Sequence, residues 1–248
     1  MHTIYSDGSA TPEDMVLKGI DLGLDEIGIS DHSWTFFDIS YCMQEKNIEA
    51  YSVEIDMLKE KYGEKIKVLK GIEQDYYSTA PTSGYDYAIG SVHYLKIGDI
   101  YVPVDESPEI LKDAADKYFG GDMLSICELY YDTVSDVVNK TEADIIGHFD
   151  LISKFNEKME LYDPGDPRYV SAWKDAADRL LVSGVPFEIN TGAVSRGYRS
   201  MPYPSSEQIK YIQKKGGRFI LSSDAHNPEY ICYGFNEFND VDTHTLSL

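Results

Sequence analysis

Short apolar runs of four to seven residues alternate with amphipathic stretches along the whole chain. The runs at 2–5, 25–30 (DEIGIS), 66–72 (IKVLKGI), 86–92 (DYAIGSV), 144–148 (DIIGH), 185–190 (VPFEIN) and 217–222 (GRFILS) predict strands. Between them, apolar residues recur at helical spacing near 12–23, 44–62, 107–118, 122–140, 167–183 and 205–215. Strands alternating with helices on this scale predict a parallel α/β sheet, open or closed into a barrel. Seven strands in 248 residues favour the barrel. No linker, low-complexity tract or internal repeat divides the chain, so we read residues 1–248 as one domain.

Local chemistry supports several boundaries. Thr11-Pro12-Glu13-Asp14 reads as an N-cap, a first-turn proline and acidic residues suited to the helix dipole. Ser205 with Gln208 has capping-box spacing. Gly23, Gly63, Gly184 and Gly216 stand where helices give way to strands, as left-handed caps.

Composition narrows the function classes. A formal net charge of −21 repels nucleic-acid backbones and anionic membranes, so neither is an expected partner. Most of these carboxylates form a solvated acidic surface, although some suit bound cations. No segment approaches the ~20 consecutive apolar residues of a membrane span, and the N-terminus lacks signal-peptide character. Cys42, Cys127 and Cys232 are odd in number and never spaced as CxxC, which predicts no disulfide framework and a cytoplasmic location.

The candidate chemistry lies at the strand ends. His2 leads to Tyr5-Ser6-Asp7-Gly8. The next strands end in Ser30-Asp31-His32, Gly71-Ile72-Glu73, Gly90-Ser91-Val92-His93, Gly147-His148-Phe149-Asp150, Glu188-Ile189-Asn190-Thr191 and Ser222-Ser223-Asp224-Ala225-His226. In an α/β barrel these ends converge on one face. Singly, each residue has a plainer explanation as a loop histidine, a turn cap or a surface carboxylate. Together, five of the six histidines fall into the pattern, and His244 alone lies outside it. Imidazole with carboxylate suits zinc, manganese or iron, and carboxylates bridge metals. No Walker loop, GxSxG elbow or HExxH helix is present, so metal-assisted hydrolysis is the expected reaction class. Arg196 and Arg199 follow the sixth strand on a Gly-containing loop and are the expected phosphate-binding pair. Ordinary ion pairs with nearby carboxylates are the alternative for both.

The ordered series H-T-x-x-S-D-G, S-D-H, G-I-E, I-G-S-V-H, G-H-x-D, E-I-N-T and S-D-A-H resembles the polymerase and histidinol phosphatase (PHP) family over roughly residues 2–235. The resemblance implies a distorted (β/α)7 barrel with two to three divalent metal ions at the C-terminal ends of its strands. By matching motifs, His2, Glu73 and Asp224 would hold one metal. Glu73 would bridge to a second, completed by His93 and His148, and Asp7, His32 and His226 would hold a third. Asp224 or His226 is the expected catalytic acid that protonates the leaving alkoxide. The family's first motif is His-x-His, whose earlier histidine falls before Met1. We therefore expect the sequence to begin inside the motif, and to stop short at the C-terminus. The implied activity is hydrolysis of L-histidinol phosphate in histidine biosynthesis. Another PHP phosphoesterase acting on nucleotides or oligonucleotides, or a degenerate non-catalytic PHP domain, are the alternatives. The oligomeric state has no signal in the sequence.

Overall fold

In the computed structural model, which describes residues 1–238, 241 and 243, strands and helices alternate as the pattern predicts. In chain order the elements are α1 (Pro12–Asp21), β1 (Glu26–Ile29), α2 (Ile48–Tyr62), β2 (Lys67–Asp75), β3 (Tyr87–Ser91), β4 (Tyr94–Ile97), β5 (Ile100–Pro103), α3 (Pro108–Phe119) and α4 (Met123–Val134). There follow α5 (Val137–Thr141), β6 (Ile145–Ile146), α6 (Asn156–Met159), α7 (Pro167–Leu181), β7 (Phe187–Asn190), α8 (Gly192–Ser195), α9 (Ser206–Lys214) and β8 (Phe219–Ser222).

Six strands form one parallel sheet in the order β1-β2-β3-β6-β7-β8. Eight of the nine residues of β2 are buried, as expected for a central strand covered on both faces. Helices bury one stripe each. In α7 the buried set is Tyr169, Trp173, Ala176, Ala177 and Leu180, which recurs at helical spacing. The Tyr87 ring on β3 lies against the backbone of β1 and β2. A Cβ added at Gly28 or Gly71 would stand 2.3 Å from its side chain, so glycine at both positions makes room for the ring.

The sheet curls until its two edges approach each other. Beyond β1, Ser30 N donates to Met1 O, and His2 N donates to Ala225 O beyond β8, each at 2.9 Å. Residues 1–2 therefore span the gap between the edge strands. Beneath them a cavity of about 420 Å³ separates β1 from β8, with Ile27, Tyr87 and Ile220 among its walls.

Three expectations need correction. Residues 2–5 form no strand, because Thr3 and Ser6 turn back to bond Asp31. The described sheet, a curled half-barrel of six parallel strands flanked by helices, keeps the expected α/β barrel class. The helix expected over 122–140 breaks at Ser135-Asp136 into α4 and α5. Gly63 adopts φ −56°, a right-handed conformation, whereas Gly23, Gly184 and Gly216 are left-handed as expected. His244 lies outside the described residues.

Candidate metal centre

Parallel strands deliver their C-terminal ends to one rim, and the candidate ligands stand there. Glu73, near the end of β2, is the hub. Its Oε1 lies 2.9 Å from His148 Nε2 and 3.2 Å from His93 Nε2. Its Oε2 lies 3.1 Å from His2 Nε2 and 3.8 Å from His32 Nδ1. Ser91 Oγ also donates to Oε1 at 2.7 Å. One carboxylate therefore faces four imidazoles from four separate segments. Asp224 Oδ1 is 2.8 Å from His2 Nε2. Asp7 stands between His32, at 3.8 Å, and His226, at 3.3 Å.

Three groups of donor atoms each lie within 4.8 Å of one another: His2 with Glu73 and Asp224; His32 with Glu73 and His93; and His2 with Asp7, His32 and His226. The first matches the set implied for one metal. The third contains the implied Asp7, His32 and His226 and adds His2. For the remaining metal, His93 and His148 share Glu73 Oε1 as implied, and His32 stands alongside.

The donor set suits cations. Glu73 is 4% exposed and His2 is fully buried, and an unpaired buried carboxylate or imidazolium is costly. Neither ring nitrogen of His2 has a well-aligned hydrogen bond despite the nearby carboxylates, and Nδ1 of His93 and of His148 also lacks one. Burial opposes a charge on His2, but Asp224 and Glu73 outweigh it and lift the imidazolium pKa to about 10 in the metal-free chain. Burial and the neighbouring His2 push His32 down to about 3. Burial alone would raise the Glu73 and Asp224 carboxyls. The cationic groups around them prevail and hold both well below the usual range.

These groups open into a cavity of about 310 Å³. Arg196 lines it, with Nη2 3.1 Å from Asp224 Oδ2 and Nη1 2.8 Å from His226 Nδ1. Arg199 is placed differently. Its Nη1 bonds Ser153 Oγ at 2.7 Å and pairs with Asp150 at 3.5 Å, and its guanidinium lies over the Tyr203 ring. Tyr203, not Arg199, lines the cavity.

Sequence reasoning missed Lys154, a second cation on the cavity wall, whose Nζ bonds the Asp105 carbonyl at 2.7 Å and its carboxylate at 3.1 Å. A lone lysine six residues past His148 carries no motif, so spacing alone gave it no weight. Tyr41 and Tyr94 also line the cavity, and Tyr94 belongs to the unforeseen β4–β5 hairpin.

Asp224 adopts φ +45°, in the left-handed region that a non-glycine residue seldom occupies. That turn aims its carboxylate at His2. Gly192 lies against it, and a Cβ there would stand 2.7 Å from Asp224 Oδ2.

Known proteins are similar to this chain in sequence and in fold. A probable histidinol-phosphatase of Deinococcus radiodurans is 26% identical over 268 residues, covering all of this chain and 94% of the relative. One of Schizosaccharomyces pombe is 27% identical over 197 residues, covering 75% of this chain and 62% of the relative. The HisK structure from Listeria monocytogenes superposes with a TM-score of 0.80 at 19% identity, over 96% of this chain and 97% of that one. Histidinol phosphate phosphatase of Lactococcus lactis, solved with zinc, L-histidinol and phosphate, gives 0.68 at 22% identity, over 99% and 93%. The PHP domain family model matches residues 1–192, and this chain belongs to the PHP family.

Proposed function

We propose that the chain is a metal-dependent phosphomonoesterase that hydrolyses L-histidinol phosphate to L-histidinol and phosphate. The observation that carries this reading is the Glu73 hub: four histidines around one buried carboxylate, in a cavity that Arg196 also lines. The names of the two sequence relatives, and the L-histidinol and phosphate in the Lactococcus structure, support the substrate.

Two to three zinc, manganese or iron ions would be held by His2, Glu73 and Asp224; by Glu73, His93 and His148; and by Asp7, His32 and His226. Bound there, such ions supply Lewis acidity and an activated water to a phosphate ester. The chain's own groups do the rest. Arg196 binds phosphate oxygens while remaining tethered to Asp224, and Lys154 adds a second positive charge to the cavity lining. Arg199 contributes from behind, by fixing Tyr203 and Asp150. The leaving alkoxide needs a proton. Asp224, held ionised, and His226, beside the Arg196 guanidinium, are the two candidates to deliver it. The acidic Asp105-Glu106 stretch of the wall suits the amine and imidazole of the organic half.

Phosphate release from L-histidinol phosphate, followed with malachite green after loading with zinc, manganese or iron, tests the proposal. Turnover that stops on chelation and returns with metal is expected. Cleavage of short oligonucleotides with no release from histidinol phosphate would overturn it.

A further inference from the structure

Asp31 stands in the Ser30-Asp31-His32 run yet belongs to none of the donor groups. Its side chain is wholly buried, just past the end of β1. Its carboxylate accepts four hydrogen bonds, all from two residues of the N-terminal turn. Oδ1 accepts from Thr3 N at 2.7 Å, from Ser6 N at 3.1 Å and from Ser6 Oγ. Oδ2 accepts from Thr3 Oγ1 at 2.8 Å.

Thr3 and Ser6 lie between His2 and Asp7. The turn also closes on itself, with Ser6 N and Gly8 N both donating to Thr3 O. Its far side is held by Ser9, whose N and Oγ donate to His226 O at 2.8 Å. One buried carboxylate therefore joins the turn carrying Asp7 to the strand end carrying His32. Asp7 is the most exposed carboxylate of the donor groups, at 34% for its side chain, against 4% for Glu73 and 12% for Asp224. It depends most on how its backbone is held.

We propose that Asp31 is a positioning residue that sets the Asp7–His32 separation, so that its loss weakens the Asp7–His32–His226 metal site selectively. Asp31 reaches the sites built on Glu73 only through its carbonyl oxygen, which accepts from Glu73 N at 3.0 Å and is kept in every Asp31 substitution, and His2 is held separately by its own N–H donating to Ala225 O at 2.9 Å. This inference rests on the metal-binding reading above.

The test uses the full chain loaded with zinc, its content measured by elemental analysis and its affinities by chelator competition, for the wild type, Asp31→Asn, Asp31→Ala and Ser6→Ala. For Asp31→Ala, one zinc equivalent should weaken by about 10–100-fold, the usual effect of removing a group that orients ligands, while the tighter equivalents stay unchanged. Asp31→Asn should fall between Asp31→Ala and the wild type, because its amide oxygen still accepts from Thr3 and Ser6. Ser6→Ala removes one hydroxyl donor and should weaken the same equivalent several-fold with little change in Tm. It decides the matter if Asp31→Ala does not fold. Wild-type affinity for every equivalent in Asp31→Ala and Ser6→Ala would overturn the proposal, as would parallel loss of all equivalents. A wild-type chain that takes up no zinc would overturn the metal reading itself and this inference with it.

Discussion

Glu73 has two oxygens and faces four imidazoles, so little can replace it. Glu73→Gln keeps the volume but turns one oxygen into an amide that carries only donors. Zinc content should fall, and phosphate release should drop by at least ~100-fold, the upper range for disturbing a metal's ligand environment. Gly8 is a second sensitive point, since a Cβ there would lie 2.3 Å from the His2 carbonyl oxygen. Gly8→Ala should lower stability by roughly 1–3 kcal/mol, as overpacking does, measured by denaturant unfolding. The raised His2 pKa gives a pH prediction. Because the shift is upward from 6.5, the charged ring stabilises the metal-free fold below that pH, and this contribution is lost as pH rises through about 10. At pH 8 the ring still holds its proton, so metal uptake at the His2 site should release a proton in weakly buffered solution. No release would contradict the ion pair. The clustering of the candidate ligands was legible, because histidine beside carboxylate at strand ends is an unusual pattern. Lys154 and the carboxylate of Asp105 were not, because their partnership joins positions far apart in the chain and leaves no local spacing.

Elements were readable wherever the backbone's own chemistry marks their ends. Thr11 and Ser205 cap α1 and α9 as expected, each through a reciprocal box. Ser205→Ala should cost about 1 kcal/mol, seen as a lower midpoint in urea with an unchanged slope. The mistaken first strand has a physical origin. His2-Thr3-Ile4-Tyr5 has strand-like residues, but Ile4 is 57% exposed, and Asp31 captures the neighbouring donors that a sheet would use. The β4–β5 hairpin carried a readable sign in Gly98-Asp99, a two-residue turn between apolar runs, with Gly98 at φ +63°. Only its position, one residue past the candidate ligand His93, makes it part of the cavity wall.

At the scale of the whole molecule, charge and curvature dominate. A net charge of −21 on a folded chain of this size repels itself. Moderate salt should therefore raise the Tm of the metal-free protein, and divalent cations should raise it further; a Tm indifferent to both would show that the acidic surface is already balanced by its own ion pairs. The parallel α/β class was visible in the alternation of patterns. The curl was not, since it depends on contacts such as Tyr87 against Gly28 and Gly71 that join three strands. Among the described residues no helix is long and apolar enough to cross a membrane.

The backbone bonds that tie the two sheet edges together run through Met1 and His2, and His2 is also a candidate ligand. An ion held there would act as a clasp, so that filling the centre and fastening the seam become one equilibrium. Stripping the metal should then speed amide exchange at His2 and Ser30 before it reaches β2 and β3. In that sense catalytic readiness and mechanical closure would be read out by the same two hydrogens.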